Sequence, residues 1–172
     1  GVITNIGEAH IENFKNISGI ANAKSEIIDS IEPGGTIILN RDDKFFNYLL
    51  KKAKKRKIKV TSFGTHKKSS VCLKKIIKKG NKSKILLTID NKKIDLQIGD
   101  ININNVLASL AVFTELNIDI SKIKNNFKHF ESSEGRGKKH LISRYNKKFK
   151  LIDESYNANP LSAKIAIKKL SS

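Results

Sequence analysis

Methionine and tryptophan are absent from the 172 residues, cysteine occurs once and proline twice. The lone thiol, Cys72, cannot close an internal disulfide, so nothing indicates an oxidising compartment. No run approaches 18 apolar residues, which excludes a membrane-spanning helix in this sequence. The opening Gly-Val-Ile-Thr also lacks the basic, then apolar, cleavable pattern of a secretion signal. A soluble cytoplasmic protein is the expectation. Neither GxxxxGK[ST] nor GxGxxG occurs, so the chain carries no recognisable phosphate cradle. With no initiator methionine and strand-like sequence already at residue 2, a piece of a longer protein is expected.

What the sequence does have is lysine, isoleucine and asparagine: 30, 26 and 17 residues. Hydrophobic residues make up 38%, enough to bury a core and to exclude a wholly disordered chain. The net charge of +18 is unevenly spread, because residues 44–84 hold 15 Lys, one Arg and no acid. Such a stretch attracts polyanions in a salt-dependent way. It is nearly all Lys, however, and lacks interleaved aromatic platforms. A solvated face accounts for it better than nucleic-acid recognition, and no specific nucleic-acid partner is expected.

Along the chain, GVITNI (1–6) reads as a short strand followed by the polar loop GEAHIENF. Ile17, Ile20, Ala21, Ile27, Ile28 and Ile31 share one face of a 3.6-residue period, predicting a helix over 18–31 that Pro33-Gly34-Gly35 stops. A strand at 36–40, a helix to about 55 capped by Asp42 or Asp43, and a strand at 60–64 complete an alternation. That alternation predicts an α/β fold in three layers, with a mostly parallel sheet covered on both faces. After Gly64 the pattern changes to strands at 71–77, 84–90 and 93–98, with a hairpin turn at Asp90–Lys93, predicting a small antiparallel sheet. Helices are expected at 104–116 and 120–130. Residues 132–137 (SSEGRG) form the best candidate hinge, and a strand at 149–153 leads through a polar turn into a helix at 161–170.

Several residues stand out chemically. Lys24 falls on the apolar helix face, where an ammonium must snorkel, pair with an acid or lose its charge. A further alternative is conversion to a carbamate, an anionic ligand for a hard metal. His10 follows a strand by four residues, between Glu8 and Glu12, and could help bind a divalent cation; a plain surface loop is the simpler reading. Cys72 suits a filler role. DESYNANP (153–160) gathers Asp153, Tyr156, Asn157 and Asn159 between a strand and a helix, where they could contact a ligand or satisfy an Asn-rich turn.

Taken together, ITNIGEAHIENF (3–14), GIANAKSEI (19–27), GGTIILNRDD (34–43), NNVLASLAV (104–112), the Gly135-Arg136 junction and LIDESYNANPLSAKIAI (151–167) resemble the Mur ligase family. They occur in the family's order, and the YNANP block matches the branch that joins D-alanyl-D-alanine to UDP-N-acetylmuramoyl-tripeptide. The resemblance spans essentially the whole chain, although 44–98 matches only in element order.

The resemblance implies residues 1–134 as a P-loop ATPase-like central domain lacking its beginning, and 135–172 as the start of a Rossmann-like C-terminal domain. It implies ATP and Mg2+ as cofactors and a parent enzyme that is monomeric. His10 corresponds to the family's magnesium-binding histidine and Lys24 to its carbamylated lysine, so both are candidate catalytic and metal residues. Asn105 corresponds to the Asn that contacts adenine, and Arg136 to the arginine that approaches ATP on domain closure. Asp153 corresponds to the acid near the nucleotide, and Tyr156, Asn157 and Asn159 to the mouth of the inter-domain cleft. The sequence departs from the family at Gly99-Asp100-Ile101-Asn102, which stands for the usual GRHN, and at Glu154, which stands for an Asp.

Overall fold

The computed structural model describes residues 1–8, 14, 16–79, 82–156 and 160–170. Three parallel strands form one edge of a six-stranded sheet: β1 (Val2–Ile3), β2 (Thr36–Asn40) and β3 (Lys59–Gly64). The helices between them, α1 (Ile17–Asp29) and α2 (Phe46–Lys55), lie together on one face. β4 (Val71–Lys79) joins β3 in parallel through Phe63–Val71 and Gly64–Cys72. It then pairs antiparallel with β5 (Lys82–Ile89), which pairs antiparallel with β6 (Lys92–Ile98). The antiparallel strands expected at 71–98 therefore form, but they continue the parallel sheet instead of standing apart from it. A bulge between Leu73 and Lys75 interrupts the β4–β5 ladder.

The three layers follow from alternation on the strands. Ile37 and Leu39 of β2 pack with Ile20, Ile28, Phe46, Leu49 and Ala53 beneath α1 and α2. Ile38 faces the other way, into a cluster with Phe63, Ile85, Leu87, Leu96, Ile98 and the inner face of α3 (Ile103–Glu115). That two-sided burial is why TIILN reads as an almost unbroken apolar run. Asparagines start both long flanking helices. Asn16 accepts the Gly19 N–H at 3.1 Å to cap α1, and Asn102 accepts the Asn104 N–H at 2.9 Å to cap α3.

The helix expected over 120–130 is split into α4 (Ile120–Ile123) and a 3-10 turn at Asn126–His129. Its chain passes tightly over Gly99, whose N–H donates to the Phe127 carbonyl at 3.0 Å. A Cβ on Gly99 would sit 1.9 Å from the Phe130 carbonyl oxygen, so that approach requires glycine. Beyond residues 132–137, an unanticipated strand β7 (Lys138–Arg144) forms an antiparallel hairpin with β8 (Lys147–Asp153), followed by α5 (Pro160–Leu170). Tyr145 and Asn146, both at positive φ, make its two-residue turn, as Asp90 and Asn91 do between β5 and β6. Among the described residues, no helix is long and apolar enough to cross a membrane.

Candidate functional site

Open α/β sheets bind ligands beyond the carboxyl ends of their parallel strands, and the loop that leaves β1 lies at such an end. The loop leaving β1 is held from two sides. Asn40, at the end of β2, donates through Nδ2 to the Thr4 carbonyl at 3.1 Å, and the Asp43 Oδ2 accepts the Ile6 N–H at 2.7 Å. From α1, the Lys24 Nζ donates to the Asn5 carbonyl at 3.1 Å. The neighbouring Asp42 is committed elsewhere, accepting the Thr65 N–H and hydroxyl and the His66 N–H at 2.6–3.1 Å.

Lys24 is exposed, which corrects its expected place inside the apolar face. The buried stripe of α1 is Ile20, Ala21, Ser25 and Ile28, one residue around from the expected face, so Lys24 lies on its rim. The polar residue actually buried is Ser25, fully inaccessible, with its hydroxyl donating to the Asn22 carbonyl at 2.6 Å and accepting from the Lys52 Nζ at 2.9 Å. As an ammonium, Lys24 only donates; as a carbamate on this exposed rim it would fit a hard cation. His10 lies outside the described residues.

Asn105 projects from the first turns of α3 into a cavity of about 350 Å³, also lined by Asn102, Ser109, Phe113, Phe127 and Phe130. Phe127 packs edge-on to Phe113 and tilted against Phe130, with ring centroids 6.3 and 6.1 Å apart. Aromatic and apolar walls with a few amide groups suit a flat heterocycle bearing hydrogen-bonding edges, so this cavity fits the base of a nucleotide. Ile101, where the family pattern has His, contributes an apolar wall.

Arg136, Asp153 and Tyr156 converge at the 132–137 turn. The Asp153 carboxylate accepts the Gly135 N–H at 2.9 Å and the Ser155 N–H at 3.0 Å. Bonds from Ser155, then that from Gly135, and the nearby His140 hold its pKa below the ordinary carboxylate value. Main-chain bonds Gly137 N–H to Asp153 and Tyr156 N–H to Gly135 close the turn, and the Arg136 guanidinium lies 4.6 Å above the Tyr156 ring. Glu134 and His140, which sequence reasoning missed, stand beside Asp153, and these three offer the one metal-ligand-like cluster among the described residues. Glu134 pairs with both Lys138 and His140. The departure at Asp100 is accommodated by an ion pair to Lys139 of β7 at 2.7 Å, which ties the start of α3 to the hinge hairpin. No sequence signal marks His140, because a lone His in an exposed strand has many simpler explanations. Asn157 and Asn159 lie outside the described residues.

Residues 1–113 match the Mur ligase middle domain. The chain belongs to the Mur ligase family. Over 98% of its length it is 30% identical to the UDP-N-acetylmuramoyl-tripeptide–D-alanyl-D-alanine ligase of Buchnera aphidicola subsp. Baizongia pistaciae, covering 36% of that protein. It is 27% identical to the UDP-N-acetylmuramate–L-alanine ligase of Aquifex aeolicus, covering 37% of it. The crystal structure of MurF from Acinetobacter baumannii superposes with a TM-score of 0.83 at 28% identity, over 99% of this chain and 36% of that one. This Mur ligase chain thus spans little more than a third of the length of the relatives it matches.

Proposed function

We propose that the full-length protein carrying this chain is the Mur ligase that joins D-alanyl-D-alanine to UDP-N-acetylmuramoyl-tripeptide at the expense of ATP. The observation that carries this reading is the hinge. LIDESYNANP, the most branch-specific block, ends β8 so that Asp153 clamps Gly135 and Tyr156 supports Arg136. In this reading residues 1–134 belong to the central ATP-binding domain and 135–172 open the C-terminal domain. The protein works as a cytoplasmic monomer.

A carboxylate is a poor electrophile, so amide formation needs activation. The terminal carboxylate of the tripeptide attacks the γ-phosphorus of ATP, ADP departs, and an acyl phosphate forms. The amine of D-alanyl-D-alanine then attacks that carbonyl carbon, phosphate leaves and the amine loses a proton. Phosphoryl transfer is mostly positioning and charge neutralisation. Asn105 takes the adenine in the Phe113–Phe127–Phe130 cavity. Arg136 brings positive charge to the phosphates, and Asp153 holds the turn that presents it while lying close to the nucleotide. The resemblance assigns Tyr156, Asn157 and Asn159 to the cleft mouth, where closure would exclude water from the acyl phosphate. His10 and the Lys24 carbamate would hold magnesium, which would supply neutralisation of phosphate charge.

The test uses the full-length protein. Phosphate release is expected only when ATP, Mg2+, UDP-N-acetylmuramoyl-tripeptide and D-alanyl-D-alanine are all present. Release with UDP-N-acetylmuramate and L-alanine instead would assign the protein to the sibling branch that also matches. The 172-residue chain alone, with no GxxxxGK[ST] loop in it, is expected to release none above a His10→Ala control.

A further inference from the structure

The parallel ladder between β1 and β2 ends at the pair Ile3–Leu39. The chain leaving β1 is nevertheless held at each of its next three residues. Asn40, one position past the ladder and nine-tenths buried, donates to the Thr4 carbonyl and uses its own Oδ1 to accept the Asp42 N–H at 2.9 Å. Lys24 covers the Asn5 carbonyl. Asp43 accepts the Ile6 N–H through Oδ2 at 2.7 Å, while its Oδ1 accepts the Phe45 N–H at 2.8 Å. The side chains of Asn40 and Asp43 therefore take over where main-chain pairing stops. Each is itself oriented by a second bond within the 40–45 turn.

We propose that Asn40 and Asp43 are positioning residues for the metal-binding end of the site. They prolong the β1–β2 ladder by two side-chain rungs and so fix the Thr4–Ile6 main chain, which receives Lys24 and leads in sequence to His10. This inference rests on the reading that Lys24 and His10 serve the metal. The physical need is plain: a working metal-ligand constellation must be held to within about 0.5 Å, and a loop that has left its sheet has no such restraint of its own. A carboxylate accepting two N–H groups is also a stronger restraint than a neutral turn residue, because charge-assisted bonds are roughly twice as strong. Asp42, one residue away, provides the contrast, since its carboxylate accepts from Thr65 and His66 instead.

The experiment uses the full-length protein with Mn2+ as a paramagnetic probe for Mg2+, titrated by electron paramagnetic resonance with a non-hydrolysable ATP analogue. Asp43→Asn and Asn40→Asp are isosteric; the first removes one charge-assisted acceptor, and the second sets a carboxylate against the Thr4 carbonyl. Each is expected to weaken Mn2+ binding by about tenfold or more, as outer-shell changes do, with metal-free nucleotide affinity unchanged and Asp42→Asn at the wild-type value. Hydrogen exchange supplies a local readout. The Ile6 amide is expected to be protected in the wild type and to exchange at least about tenfold faster in Asp43→Asn, while the Ile38 amide, bonded to Gly1, is unchanged. Wild-type Mn2+ affinity in Asp43→Asn with the Ile6 amide deprotected would overturn this inference and leave the ligase reading standing. An unprotected Ile6 amide in the wild type would overturn it without any variant. If wild-type protein binds Mn2+ no better than a His10→Ala control, both the reading and this inference fall together.

Discussion

Gly135 shows how one residue carries the turn before β7. Its φ is +68°, and a Cβ there would lie 2.5 Å from the Tyr156 Cβ. Gly34 also has positive φ, +84°, but has nothing within 4 Å of its added Cβ. Gly34→Ala is therefore expected to cost about 1 kcal/mol from backbone strain alone, whereas Gly135→Ala adds a clash and costs about 2–3 kcal/mol; urea denaturation of both variants measures the difference. Tyr156→Phe keeps the ring under Arg136 and is expected to preserve nucleotide affinity. Tyr156→Ala removes a cation–π contact of about 0.5–1 kcal/mol, so nucleotide binding by the full-length protein should weaken two- to fivefold in calorimetry. The depressed pKa of Asp153 fixes a sign as well. Its contribution to the turn is full above the ordinary value of 3.8 and is lost only as pH falls through the lower folded-state value. The Gly135 amide resonance should accordingly hold constant from neutrality to below pH 3.8 and move only beyond that.

Among the elements, α3 does most to organise the molecule. Its inner face supplies Val106, Leu107, Leu110 and Ala111 to the cluster under the sheet, while its outer side presents Asn102, Asn105 and Ser109 to the cavity. Leu110 is fully buried, so Leu110→Ala is expected to cost about 2–5 kcal/mol by thermal or chemical unfolding. The last residue of α3, Glu115, anchors the helix to β2 and β3 through the hydroxyls of Thr36 and Thr61 and the Lys59 ammonium. Burial pushes its pKa up, but Lys59 and the two hydroxyls outweigh burial and leave it below the ordinary 4.5. Its stabilising contribution is thus complete above pH 4.5 and fades as pH falls through the depressed value. Glu115→Gln should lower stability at pH 7 by about 1–3 kcal/mol and flatten the acid limb of the stability–pH curve.

For the whole molecule, the basic stretch from 44 to 84 is the largest electrostatic feature, and the structure spreads it over α2, β3, β4 and β5. Lysines of the stretch meet acids from outside it: Lys52 with Asp29 at 2.7 Å, Lys59 with Glu115 at 2.8 Å, and Lys84 with Asp95 at 3.0 Å. That dispersal favours a solvated surface over a nucleic-acid groove. Any DNA binding at low salt is expected to vanish at physiological salt in a filter or anisotropy assay.

The periodic and specific features of the amino-acid order were enough for much of this. Alternating apolar strands and one-sided helices predicted the three layers, and the six ordered blocks carried the family. Asp153 and Tyr156 were legible together because a polar run directly after a strand has to emerge at the sheet's edge, whereas Arg136 came only from the resemblance. Contacts between distant segments were not legible. Periodicity placed Lys24 inside α1 because a face drawn one residue off still looks apolar; only packing against β2 and α2 chose Ser25 for the interior. Strand β7 was hidden because its residues alternate weakly and remain largely exposed. The bonds of Asn40 and Asp43 to the β1 loop depend on where β2 happens to end beside β1. Local pattern decides which element a segment becomes, whereas the pairing of elements far apart in sequence decides which polar atoms find each other, and that pairing is a property of the folded chain.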